Sequence, residues 1–206
     1  MKVLVGCEYS GVVRDAFIRR GHDAMSCDLL PTESEGPHHQ GDVFDVLDWD
    51  WDLAVFHWPC TYLTNSGVRW LHENTDRWAL MEESAHAFRR LLDAPIPCKA
   101  LENPIMHRYA LQIVGRRADQ VVQPWMFGHP ERKATCFWLD GLPLLQPTHD
   151  VRREMVALPE REQQRLHYLP PSADRWKERS KTFSGIAEAM AAQWGDGEMD
   201  LFAGAQ

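Results

Sequence analysis

The chain lacks a Cys-x-x-Cys pair, a His-Glu-x-x-His element and any apolar run approaching the ~20 residues of a membrane span. Its five cysteines, Cys7, Cys27, Cys60, Cys98 and Cys136, are odd in number and widely spaced. That spacing excludes a disulfide framework and predicts free thiols in a reducing compartment. No signal-peptide pattern opens the sequence, so a soluble, cytoplasmic protein without membrane contact is expected. The ten histidines show no ligand spacing, and no metal site is expected; His38-His39 reads as a solvent-facing loop. Basic residues are few, with 22 Lys and Arg against 30 Asp and Glu and a net charge of -8. Tight, sequence-indifferent binding through phosphate neutralisation is therefore disfavoured, which leaves a local basic face as the means of meeting a polyanion. Internal repeats and low-complexity tracts are also missing.

What is present is an ordinary globular composition, 44% hydrophobic and 25% charged over 206 residues. A chain of this size can bury roughly 70% of its unfolded surface, so its core needs no covalent or metal staple. One compact domain over residues 1–195 is expected, with 196–206 as a flexible tail. Nine Trp and 13 Pro are high for the length. Trp58, Trp70, Trp125 and Trp176 lie beside Pro or a charge, where a flat amphipathic ring can line a cleft as well as fill a core.

Strand and helix signals alternate. Lys2 to Val5 reads as a strand, followed by the turn Cys7-Glu8-Tyr9-Ser10-Gly11 and a helix from Val12, with Ser10 as N-cap and Gly21 as C-cap. Further strands are expected at Ala24 to Cys27, from Gly41 to Phe44, at Trp51 to His57, Lys99 to Leu101, Gln120 to Gln123 and Ala134 to Leu139. Helices are expected at Arg77 to Leu92 and Gly185 to Trp194. Pro31 to Gln40 reads as loop, and residues 150–180 show no firm period. Such alternation predicts an α/β fold, a mostly parallel sheet covered on both faces, with binding groups past the carboxyl ends of the strands. Glu8, Asp28, Cys60 and Glu102 each follow a predicted strand, so one edge should gather them.

Each has a chemical reading and a plain one. Gly11 in a strand-to-helix turn and Asp28 closing the next strand are the parts of an adenosine-cofactor site, the carboxylate accepting ribose hydroxyls. A turn of this kind also serves as structure alone, and there is no complete Gly-x-Gly-x-x-Gly. Asp42 would reach an adenine amine or cap a turn. Cys60 follows Pro59 at a strand end and precedes a polar loop with Asn65, Ser66 and Gly67, which presents a nucleophile to a cleft; Cys27, Cys98 and Cys136 read as core. Glu102-Asn103-Pro104 adds a carboxylate able to bind or protonate a ring nitrogen, and Arg132 and Lys133 can offset negative charge.

The succession of these elements, closed by Phe183-Ser184-Gly185-Ile186-Ala187, resembles the motif order of the cytosine-5 DNA methyltransferases, and more closely the short methyltransferase-like proteins of bacteriophages. The resemblance implies a Rossmann-like, S-adenosylmethionine-dependent methyltransferase fold and a place in the bacterial host cytoplasm. It implies cofactor contacts from Glu8, Tyr9, Ser10, Gly11, Asp28, Asp42 and Pro59. It implies Cys60 as the nucleophile that adds to C6 of cytosine, Glu102 on N3 and the exocyclic amine, and Arg132 or Lys133 supporting the activated ring. Asn103, Pro104 and Ser66 are implied substrate contacts.

The chain departs from that pattern in its Gly-poor first turn, in Trp58 before Pro59-Cys60 and in Pro104 after Glu-Asn. The interval from Leu139 to Arg175 also leaves no room for a target-recognition region. Asp200-Leu201-Phe202-Ala203-Gly204 repeats the family's first-motif wording but reads as coincidence in the tail.

Flipping a base from duplex costs a few kcal/mol and needs groups that grip both strands. Without the insertion the expected partner is nucleic acid, chiefly DNA, single-stranded or distorted, or a nucleotide, with a partner subunit or homo-oligomer supplying DNA contacts. Arg116-Arg117, Arg132-Lys133, Arg152-Arg153 and Arg175 to Lys181 are the basic clusters available. The alternative is a non-catalytic member of the fold that binds a nucleotide, nucleic acid or host protein. A zinc deaminase is disfavoured because Cys60-Thr61-Tyr62-Leu63 lacks the second Cys.

Overall fold

The computed structural model describes residues 1–196; the Asp200 to Gly204 element and the tail after Asp196 lie outside the described residues. Seven strands form one sheet: β1 (Lys2–Gly6), β2 (Asp23–Asp28), β3 (His38–Gln40), β4 (Leu53–Phe56), β5 (Cys98–Asn103), β6 (Gln120–Val122) and β7 (Thr135–Asp140). Their order is β3-β2-β1-β4-β5-β7-β6. The first five run parallel, and β7 lies antiparallel to both of its neighbours. From β1 the chain builds outward to β2 and β3, then returns to place β4 on the other side. That reversal makes a switch point between β1 and β4, where doubly wound sheets open a crevice for ligands.

Both faces are covered. Successive side chains of β1 point to opposite faces, so Leu4 joins one core while Val3 and Val5 join the other. The first core is closed by α3 (Asp76–Leu92) and α4 (Arg108–Val114), with α2 (Arg69–Glu73) beside them; Phe88 meets Trp138 edge-on at 5.0 Å. The second is closed by α1 (Val12–Arg19) and α8 (Ser184–Met190), which continues as a π-helical turn over Ala191–Gly195 and buries Trp194. No described helix is long and apolar enough to cross a membrane.

Several elements differ from expectation. The stretch from Gly41 to Phe44 is not a strand: Asp42 accepts the Phe44 N–H at 3.0 Å and caps a 3-10 turn over Val43–Asp45. The third strand lies instead at His38–Gln40, inside the expected loop. It is paired to β2, with Ser26 Oγ at 2.8 Å from His38 Nδ1, so both histidines are half-buried. Ser10 is not the N-cap of α1; Gly11 is, in the left-handed conformation at φ 74°. Residues 150–180 contain three short helices, α5 (Arg152–Ala157), α6 (Glu160–Gln163) and α7 (Arg175–Ser180).

Candidate functional site

At the switch point the strand ends converge on one cleft. Cys7 to Ser10 follow β1, His57 to Cys60 follow β4, Glu102 and Pro104 stand at the end of β5, and Lys133 precedes β7. Arg179 to Thr182, the end of α7 and the two residues after it, cross above them, and the partly open cleft measures about 100 Å³. Of the residues singled out from the sequence, Glu8, Tyr9, Ser10, Pro59, Cys60, Glu102, Pro104 and Lys133 line this cleft.

The β1 turn is shaped by a helix start that must satisfy its first amides. Glu8 does this from a buried position: its carboxylate accepts the Val13 N–H at 2.7 Å and the Arg14 N–H at 3.2 Å. A buried carboxylate at a helix N-terminus is electrostatically favoured, and Glu8 is thereby committed to the fold. The preceding Cys7 is held at φ 58°, a costly conformation for a residue with a side chain, of the kind that clusters at functional sites. Burial, with Asp28, Cys27 and Asp42 adding to it, pushes the Cys7 thiol well up, so it stays protonated.

Gly11 is required by its neighbours. A Cβ there would fall 2.0 Å from Ser34 Oγ and 2.5 Å from Arg14 Nη2, in a backbone conformation that already disfavours one. The place expected for a cofactor over Gly11 is thus filled by the chain itself. Arg14, wholly buried, ties that cover down: it donates to Ser26 Oγ at 3.1 Å, Ser34 Oγ at 2.5 Å and the Glu35 carbonyl at 3.1 Å, and pairs with Asp15. Nothing in its spacing distinguishes Arg14 from an ordinary surface arginine on an amphipathic helix.

The β4 loop is positioned from β5. Asn103, fully buried, donates to the Trp58 carbonyl at 2.7 Å, and Trp58 Nε1 donates to Ser84 Oγ on α3 at 3.0 Å. Asn103 therefore does not line the cleft as a substrate contact; it fixes the Trp58-Pro59-Cys60 segment. Cys60 is an exposed residue at the rim. Loss of water around its thiol pushes it up, Glu102 adds to this, and the charges of Lys133 and Arg179 pull it back.

Glu102 is half-buried, with His57 Nδ1 at 3.4 Å from Oε2. Burial pushes its carboxyl up, but the His57 hydrogen bond and the Lys133 charge outweigh this and hold it below the ordinary carboxylate range. Glu102 is therefore ionised at neutral pH. His57 Nε2 is buried without a hydrogen-bond partner among the described residues. The composition of the strand carries no sign of the His57–Glu102 pair, which follows from the register that sets β4 beside β5.

A strap from α7 roofs the site. Tyr9 Oη donates to the Lys177 carbonyl at 3.1 Å and lies 3.0 Å from Ser180 Oγ; its ring meets Trp176 at 5.8 Å. Lys181 pairs with Glu33 at 2.9 Å, and Lys133 Nζ donates to the Arg179 carbonyl at 2.9 Å. The segment in which the sequence shows no firm period thus supplies one wall.

Gly11, Asp28, Asp42, Ser66, Asn103 and Arg132 do not line the cleft. Ser66 is an exposed residue of a 3-10 turn, with Thr64 Oγ1 at 3.2 Å, and Arg132 is exposed. Asp28 stands at the end of β2, where burial pushes its carboxyl up against the Leu30 N–H that it accepts at 2.9 Å. Beside it Leu29 is 72% and Leu30 37% exposed. A hydroxyl-accepting carboxylate next to open apolar side chains suits a nucleoside, so the residues present fit the adenosine half of a cofactor on this rim, outside the cleft. No protein-family model matches the chain, and no curated protein matches it.

Proposed function

We propose that the chain is an S-adenosylmethionine-dependent methyltransferase acting on C5 of a cytosine through a covalent bond to Cys60. The observation that carries this is the meeting of Cys60, the ionised Glu102 and Lys133 in one cleft at the switch point between β1 and β4.

C5 of cytosine is unreactive until C6 is saturated, so the site must first add a nucleophile to C6. The Cys60 thiol begins protonated, and Glu102 is the base within the cleft to take its proton. Sγ bonds to C6, the C5–C6 π pair moves through C4 to N3, and Glu102 returns the proton to N3. The product is a neutral enamine carrying electron density at C5. Lys133 steadies Glu102 in its charged form and offsets the negative charge that develops on the ring. His57 orients the Glu102 carboxylate, while Asn103 holds the Cys60 loop.

Asp28 with Leu29 would hold the adenosine of S-adenosylmethionine, and Asp42 would flank it. When bound, S-adenosylmethionine supplies an electrophilic methyl group. Regeneration requires loss of the C5 proton to solvent base, rupture of the Sγ–C6 bond with its electron pair returning to Cys60, and return of the N3 proton to Glu102.

The test is transfer of label from S-adenosylmethionine to a panel of duplex DNA, single-stranded DNA, RNA and cytosine nucleotides, with modified nucleosides identified by mass spectrometry. Label at C5 is expected with the native chain and none with Cys60→Ser; transfer indifferent to Cys60 would overturn the mechanism. The narrow, roofed cleft also favours a second reading, a non-catalytic nucleotide-binding protein. A thermal shift with S-adenosylmethionine that is lost in Asp28→Ala favours the enzyme, and no shift at saturating ligand favours the binder.

A further inference from the structure

The cleft is lined by several hydrogen-bond donors. Four consecutive strap residues, Arg179, Ser180, Lys181 and Thr182, line it together with Lys133 and Ser10. Arg179 and Lys133 lie close enough to the Cys60 thiol for their charges to act on it. Neither has a carboxylate within ion-pair distance among the described residues, and the Arg179 guanidinium has no hydrogen-bond partner among them. Arg179, which has no carboxylate partner among the described residues, faces the space above the nucleophile with Lys133, whose charge also acts on Glu102, and the two form a seat for an anion that arrives with the pyrimidine.

The same surroundings argue against a long polyanion. The strap is tied to Tyr9, to Glu33 and to Lys133, so it crosses the cleft from the β1 turn to the entry of β7. Away from the cleft part of the basic surface is paired, while the exposed Arg69, Arg108, Arg117, Arg132, Arg153 and Arg161 have no carboxylate partner among the described residues. Arg116 is paired with Asp119 and Asp140, Arg19 with Glu188, Arg20 with Asp196, Arg89 with Asp93 and Arg165 with Glu131.

From this we infer that the site takes a free cytosine mononucleotide, its base beside Cys60 and Glu102 and its phosphate against Arg179 and Lys133, in preference to a nucleic-acid strand. The cytosine half of this inference rests on the methyltransferase reading, whereas the phosphate seat rests on the strap.

Calorimetric titration of the full chain separates the two. The probes are dCMP, CMP, deoxycytidine, inorganic phosphate and a cytosine-containing single-stranded 12-mer, used without S-adenosylmethionine on the native chain and on Arg179→Gln. The guanidinium is exposed and unpartnered, so its replacement leaves the fold intact, which circular dichroism checks. The monophosphates are expected to bind about tenfold or more tighter than deoxycytidine, the increment of one charge-assisted contact, and that ratio should fall towards unity in Arg179→Gln. Equal binding of dCMP and deoxycytidine, or tighter binding of the 12-mer than of either monophosphate, overturns the inference. Phosphate-dependent dCMP binding without methyl transfer leaves the mononucleotide seat standing and removes the reaction. Methyl transfer confined to DNA does the reverse.

Discussion

At the scale of single residues the site is governed by one pair, His57 and Glu102. A half-buried carboxylate beside a rising thiol would ordinarily be pushed up. It stays ionised because His57 donates to it and Lys133 lies near. With a folded pKa below the ordinary 4.5, Glu102 binds fewer protons folded than unfolded between the two values. Its contribution to stability is therefore complete above about pH 4.5 and is lost as pH falls through the folded pKa. Replacing His57 by Ala removes the largest of the interactions opposing burial. The Glu102 carboxyl should then titrate higher than in the native chain, read directly from its side-chain 13C shift, and the acid limb of any activity profile should move to higher pH with it. An unchanged Glu102 titration in His57→Ala would assign the depressed value to Lys133 alone. Sequence inspection reaches Glu102 because it closes an apolar strand, but not His57, whose role exists only once β4 and β5 are in register.

Among the elements, those buried on both faces were legible in the sequence and those set by partners were not. The apolar runs of β1, β4 and β7 and the three- and four-residue steps of α3 announce themselves, because burial selects their composition. α4 begins at a histidine cap, His107 Nδ1 accepting the Ala110 N–H at 3.1 Å, and histidine is not among the usual N-cap residues. β3 has three half-exposed or exposed residues, and only pairing to β2 makes it a strand. α5, α6 and α7 are four to six residues long, too short for a period to show.

The strap's far end depends on α8, whose start is pressed against the loop before β7. Gly185 donates its N–H to His129 Nε2 at 3.0 Å, and a Cβ at Gly185 would lie 1.9 Å from the Phe127 carbonyl oxygen. Because that obstacle is backbone, Gly185→Ala must displace either the helix or the loop. A loss of about 3 kcal/mol, roughly 6–12 °C in Tm, is expected from overpacking of this kind. Gly67 is the control, since its added Cβ meets nothing closer than 3.7 Å. Equal melting temperatures for Gly185→Ala and Gly67→Ala would show that α8 is free to shift.

For the molecule as a whole, the question is where a net charge of -8 allows a polyanion to sit. The basic clusters visible in the sequence are engaged by the fold only in part. Arg116 bridges Asp119 and Asp140, Arg152 lies over the Trp125 ring at 5.3 Å, and Arg175 donates to the Leu169 and His167 carbonyls. The cleft is lined by Lys133, Arg179 and Lys181, the last of them paired with Glu33. Counterion release then bounds the salt dependence of any single-strand binding. Each neutralised phosphate contributes about 0.7 to the slope of log K against log salt, so three cations permit a slope no steeper than about -2. Fluorescence anisotropy with a labelled single strand between 50 and about 300 mM salt measures it, in the regime where exposed charges are progressively screened. A slope near about -5 would demand seven phosphate contacts on the same coefficient, more than the cleft can furnish. The exposed Arg117, Arg132 and Arg153 would then have to form a second track outside it. A shallow slope that falls by about 0.7 in Arg179→Gln confines the anion to the space above Cys60.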